Sequence, residues 1–151
     1  MQFENLKEAI DFAIEKEISA AAFYDKASEE ESMSGSKQLF KEFAIEERKH
    51  EQKLKNIDTE TIADFQKQKV ADLKRSDYIV EFTYEPGMGF RDIVTYAMKE
   101  EEKALKLYME LEKQAETDAG VKLFQFLSQQ EAHHKLQLET MLDDYMAKMG
   151  D

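Results

Sequence analysis

The sequence holds no cysteine, one proline and five glycines among its 151 residues. Without cysteine there are no disulfides, no thiolate metal sites, no cysteine nucleophile and no rubredoxin-like iron centre within the chain. So little proline and glycine leaves scant turn chemistry for a β fold. Positive charge is short as well: 21 Lys and Arg stand against 33 Asp and Glu, a net charge of −12. The electrostatic footprint of a nucleic-acid binder is therefore missing. No stretch approaches the roughly 18 apolar residues that would span a membrane. The first residues, Met1-Gln-Phe-Glu-Asn-Leu-Lys-Glu8, lack a basic segment followed by an apolar run, so no signal peptide is read there. A cytoplasmic protein with neither nucleic-acid nor membrane partner is the expectation.

What is present is a mixture of 36% charged and 42% hydrophobic residues, which suits long amphipathic helices. The length is that of a single domain, 1–151, with enough chain to bury a core. Apolar residues in steps of three or four predict four helices, at about 5–32, 36–57, 90–116 and 118–147. Asn5 followed by Glu8 resembles a capping box. Ser32-Met-Ser-Gly-Ser36 breaks the first pair of helices, with Ser36 as the expected N-cap of the second. Thr117-Asp-Ala-Gly120 breaks the second pair. Short loops between long helices make antiparallel hairpins. Residues 58–89 are long enough to cross a bundle. Within them Asp64 to Arg75 reads as a short helix, Tyr78 to Tyr84 as extended, and Pro86-Gly-Met-Gly89 as a turn. The predicted fold is all-α: a four-helix bundle of two hairpins joined by a long crossover.

Each helical seam is interrupted halfway by acid. The first runs Leu6, Ile10, Ile14, Glu17, Ala21, Tyr24, and the second Phe40, Phe43, Glu47, His50, Leu54, Ile57. The third runs Val94, Ala97, Glu101, Ala104, Tyr108, Leu111, and the fourth Phe124, Leu127, Glu131, His134, Leu138, Met141. One offset of 84 residues carries Glu17 onto Glu101, Tyr24 onto Tyr108, Glu47 onto Glu131 and His50 onto His134. It also carries Phe40 onto Phe124 and Leu54 onto Leu138. The pattern is that of a duplicated helical hairpin.

A lone Glu-x-x-His in so charged a helix is as a rule coincidence, and a single seam glutamate is as a rule an ion-pairing surface residue. Six such residues in register are different. Four carboxylates facing one core would repel one another and would be costly to bury ionised. Two divalent cations would neutralise them, with the imidazoles completing the ligand set. Glu and His three residues apart differ by about 60° around a helix, so one ion reaches both. Bundles with one Glu from each of two helices and Glu-x-x-His from each of the others are the pattern of di-iron and di-manganese carboxylate proteins. The same register selects Glu47 over Glu46, Glu101 over Glu100 and Glu102, and His134 over the neighbouring His133. Tyr24 and Tyr108, two turns beyond Glu17 and Glu101, are core aromatics whose hydroxyls need partners. A carboxylate of the site is the partner expected.

Glu17-x6-Tyr24, Glu47-x-x-His50, Glu101-x6-Tyr108 and Glu131-x-x-His134 resemble the ferritin-like superfamily, most closely its rubrerythrin-related branch, over residues 5 to about 147. The resemblance implies that Glu47 and Glu131 bridge two iron ions, Glu17 and Glu101 are terminal carboxylates, and His50 and His134 each cap one metal. Manganese or zinc would suit the same donors. It further implies a non-haem di-iron oxidoreductase reducing hydrogen peroxide or dioxygen, linked to oxidative stress or iron. An external electron-donor protein is required, because the rubredoxin module is missing, and the expected assembly is a homodimer. One departure matters. Rubrerythrins usually carry a further Glu three residues after the helix-three ligand, where this chain has Ala104. Bacterioferritin matches the six-residue set equally well, but its haem-ligating Met would stand at Arg48. The alternatives are a ferroxidase or iron-binding and storage protein with Fe(II) as substrate, and a helical module that uses metal only for structure.

Overall fold

The computed structural model describes residues 6–57, 74–80, 85 and 87–149. Four helices dominate: α1 (Leu6–Glu29), α2 (Lys37–Lys55), α3 (Phe90–Gln114) and α4 (Asp118–Met149). They form the predicted four-helix bundle. Backbones approach most closely within the hairpins α1–α2 and α3–α4; across them, α1 meets α3 and α2 meets α4. Among the described residues no helix is long and apolar enough to cross a membrane.

The breaks form for local reasons that differ from one another. Thr117 caps α4 as its position suggested, its Oγ1 accepting the Gly120 N–H at 3.0 Å. Ser36 does not cap α2, since its side chain makes no cap bond. Instead Glu31–Ser36 winds into a 3-10 turn, which drives Met33 fully into the core. Asn5, the first residue of the expected capping box, lies outside the described residues.

The same holds for 58–73, 81–84 and Pro86 in the crossover, and with them the short helix and most of the extended segment. The described part corrects one reading. Tyr78 ends a 3-10 turn, Arg75–Tyr78, rather than opening an extended segment. Its ring is buried in the cluster that also holds Leu107, Leu111 and Phe124. Met88, ten residues on, packs with Phe40, Ile93 and Leu138 on the other side of the bundle's midpoint. The crossover is pinned there. Ser32 Oγ donates to the Met88 carbonyl at 3.0 Å, and the Gly87 N–H donates to Glu30 Oε2 at 3.3 Å. Gly87 has φ +87°, a conformation that side chains with a Cβ rarely adopt.

The core is two clusters rather than one. Ala9, Ile10, Phe12, Ala13, Leu54, Leu107, Tyr108, Leu111, Phe124 and Leu127 form the first. Tyr24, Ala27, Phe40, Phe43, Ala44, Ile93, Val94, Ala97 and Leu138 belong to the second. Each large apolar side chain removed from water contributes about 1.5–3 kcal/mol relative to exposure. On every helix the residues that separate the clusters are the glutamates and histidines of the seams, so the bundle carries a buried polar layer between two apolar caps.

Candidate metal centre

All six seam residues are buried: Glu17, Glu47, His50, Glu101, Glu131 and His134 are each at most 2% exposed. The rejected neighbours behave as the register requires. His133 is exposed, and Glu46, Glu100 and Glu102 are only partly covered.

The six side chains form two overlapping groups. Glu17, Glu47, His50 and Glu131 present donor atoms within 4.8 Å of one another, and so do Glu47, Glu101, Glu131 and His134. Glu47 and Glu131 belong to both groups. Each histidine turns Nδ1 inward: His50 Nδ1 lies 3.1 Å from Glu131 Oε1 and 3.7 Å from Glu17 Oε2. His134 Nδ1 lies 3.0 Å from Glu47 Oε1 and 3.6 Å from Glu101 Oε1. These four residues of the first set map onto the second by the 84-residue offset, and the distances match in pairs. The two imidazoles stack with centroids 6.1 Å apart. Residues 84 apart also meet at Lys16 and Glu100, whose ion pair is 2.7 Å long. The pseudo-two-fold axis of the duplicated hairpins thus runs between such partners.

The tyrosines cross over. Tyr24 Oη donates to Glu101 Oε1 at 2.6 Å, and Tyr108 Oη donates to Glu17 Oε1 at 2.5 Å. Both hydroxyls sit in apolar surroundings beside carboxylates. Burial first, then the charges of those glutamates, hold both phenols well above their ordinary pKa. They remain protonated donors.

Burial, followed by repulsion from Glu17 and Glu101, lifts the Glu47 carboxyl well above the ordinary range. Burial and the charges of Glu101, Glu47 and Glu17 do the same to Glu131. Burial also pushes Glu17 upward, but contacts with Glu47, His50 and Tyr108 outweigh it and leave that carboxyl lowered. His134 is raised: burial disfavours its charged form, yet the carboxylates of Glu101 and Glu46 prevail. Like charges in one dry layer cannot all ionise.

The donor set could hold a metal ion, and one direct observation supports that. Glu17 Oε2, Glu47 Oε1, Glu101 Oε2 and His134 Nδ1 are four of five buried side-chain atoms, with Ser128 Oγ, that make no well-aligned hydrogen bond among the described residues, although His134 Nδ1 and Glu47 Oε1 lie 3.0 Å apart. Such orphans are rare in folded proteins, and here four gather in one layer. Oxygen and imidazole nitrogen donors in this number suit iron, manganese or zinc. Ala104, where a fifth carboxylate would stand, is a partly buried apolar residue packed on the first cluster.

One contact was not foreseen. Nε2 of His134, the nitrogen turned away from the layer, meets the Glu46 carboxylate. Helical register excludes Glu46 from the centre because it points about 100° away from Glu47. Recognising its partner requires knowing that α4 lies on that side of α2.

A family model described as Rubrerythrin matches residues 2–58 and 92–149, both hairpins but not the crossover between them. No curated protein matches the chain. Among solved structures, a hypothetical protein from Pyrococcus furiosus is similar, with a TM-score of 0.67 and 24% identity over 91% of this chain and 88% of that one. At that identity the likeness bears on the fold alone.

Proposed function

The chain belongs to the rubrerythrin family, and on that footing we propose that it is a non-haem di-iron oxidoreductase that reduces hydrogen peroxide or dioxygen. One observation carries this reading. The buried donors fall into two groups that share Glu47 and Glu131, the arrangement in which two carboxylates bridge two ions. Glu17 and His50 would complete one position, Glu101 and His134 the other. Two bound ferrous ions would supply the two electrons that, with two protons, reduce hydrogen peroxide to water or dioxygen to hydrogen peroxide.

The chain's own residues would do the rest. Tyr24 and Tyr108 hold Glu101 and Glu17 by one oxygen each, which leaves the other oxygen of each free to face a cation. The apolar clusters above and below keep the layer dry, so charge interactions within it are weakly screened. Electrons would come from a separate donor protein. The test is anaerobic loading with Fe(II) followed by mixing with peroxide or air. Oxidation of the bound iron no faster than that of free Fe(II) would sink the catalytic reading.

Ala104 favours a second reading, a ferroxidase or iron-storing protein with Fe(II) itself as substrate. With an apolar residue at that position, the site has no fifth carboxylate to shift between oxidation states. Repeated turnover of Fe(II) into a mineral, in a particle of shell size on a sizing column, supports this second reading. A dimer that consumes peroxide without accumulating iron supports the first.

A further inference from the structure

The two halves of the buried layer share their tyrosine bonds and their inward-facing imidazoles, and they differ in what surrounds each ring: Phe43 lies against His134 and Phe126 against His50, and the charged neighbours at the outer ends differ as well. Glu46 stands at His134 Nε2, and the 84-residue offset puts Gln130 in the corresponding place of the other half. Glu46 has a side chain 40% exposed, whereas His134 is fully buried. The carboxylate therefore closes the outer end of an imidazole whose Nδ1 faces Glu47 and Glu101. His50 has no such neighbour among the described residues; its carboxylate contacts, to Glu17, Glu47 and Glu131, all run through Nδ1.

An imidazole that offers Nδ1 to a cation carries its proton on Nε2. An acceptor on that proton sets the tautomer, holds the ring and makes Nδ1 the better donor. A charged acceptor does this about twice as strongly as a neutral one. Glutamine at 130 has no charge to offer. The negative charge of Glu46 also adds to the field at the nearer cation.

We propose that Glu46 makes the two metal positions unequal, so that the position bounded by Glu101 and His134 takes its divalent ion first and more tightly than the one bounded by Glu17 and His50. Glu46 is a positioning residue acting through His134. The inference rests on the reading of the six residues as a two-metal site.

Zinc alone is the probe, because Zn(II) needs no oxidant and leaves imidazole signals sharp. The metal-free full chain is titrated while the ring nitrogens of the three histidines are followed by NMR. Calorimetry on the same samples reports stoichiometry and affinity. In the unaltered protein the His134 signals move with the first equivalent and those of His50 with the second. Glu46→Gln, isosteric and at a partly exposed position, weakens the first step by about 10-fold, the lower end of what such outer partners supply, and brings the two steps together. Gln130→Glu strengthens the second step by a similar factor and leaves the first alone. If His50 responds first, if both rings respond together in the unaltered chain, or if Glu46→Gln changes neither order nor affinity, the proposal is overturned. Uptake of fewer than two ions would overturn the two-metal reading instead.

Discussion

Tyr24 and Glu101 sit on opposite hairpins, and the 2.6 Å bond from the phenol to the carboxylate joins them through the buried layer. Tyr108 and Glu17 return the same bond at 2.5 Å. These two contacts tie the duplicated halves together at the level of the site itself. Replacing either tyrosine with Phe removes a hydrogen bond to a buried carboxylate without changing the packed ring. Tyr24→Phe and Tyr108→Phe are each expected to cost about 1–3 kcal/mol in urea unfolding of the metal-free protein. Each should also weaken metal binding about 10-fold. The two effects should not add, because both carboxylates belong to one coupled cluster.

Glu47→Gln and Glu131→Gln should have opposite signs with and without metal. In the metal-free protein each removes a carboxyl whose ionisation burial and its neighbours oppose, so stability at pH 7 should rise. With metal present, each loses a donor common to both groups, and stoichiometry should fall below two. Urea unfolding with and without saturating Zn(II) separates the cases. A loss of stability in both states would mean that the carboxylates are structural hydrogen-bonding groups.

The metal-free protein should lose stability as pH rises above the unfolded carboxylate value of about 4.3. Glu47 and Glu131 have folded pKa values raised above the unfolded carboxylate value of about 4.3. Their stabilisation is complete below that value and is lost as pH climbs through the folded values. His134, also raised, acts in the same direction above its unfolded value of about 6.5. Glu17, lowered, acts the other way, its contribution being lost only as pH falls below the ordinary range. Each raised group contributes a slope of up to about 1.4 kcal/mol per pH unit. Thermal melts from that pH upward should show the decline, and the Glu47→Gln, Glu131→Gln double variant should flatten it. An unchanged slope in that variant would assign the decline to general surface repulsion instead.

Metal should stabilise the fold in proportion to its free concentration. At 100 times its dissociation constant an ion adds about 2.7 kcal/mol per site, and a chelator should reverse the gain. Calorimetric melts over a Zn(II) or Mn(II) series measure this directly. A melting temperature indifferent to metal would contradict a site that exists only in the folded chain.

His133 and His134 make the sharpest internal control. His133→Ala, at an exposed position, should stay within about 0.5 kcal/mol of the parent and retain two ions. His134→Ala should lose one ion and leave Glu46 without its partner.

That six polar seam residues would be buried side by side was legible in the chain, because a helix repeats its face every 3.6 residues. That periodicity puts Glu17, Glu47, His50, Glu101, Glu131 and His134 on apolar seams, and the 84-residue offset shows that the two halves share one plan. It also separates His134 from His133. Ser36 shows the limit at a helix end: its identity suits a cap, but the 3-10 turn before it decides where its hydroxyl goes. Tyr78 shows the same for a short segment, where burial in the cluster that holds Leu107 and Leu111 outweighs local preference for extension. The direction of the tyrosine bonds and the pairing of Glu46 with His134 were settled only in three dimensions. Sequence spacing fixes angles around one helix axis, whereas the partner of a side chain that leaves its own helix depends on which neighbour stands there, at what height and in which orientation.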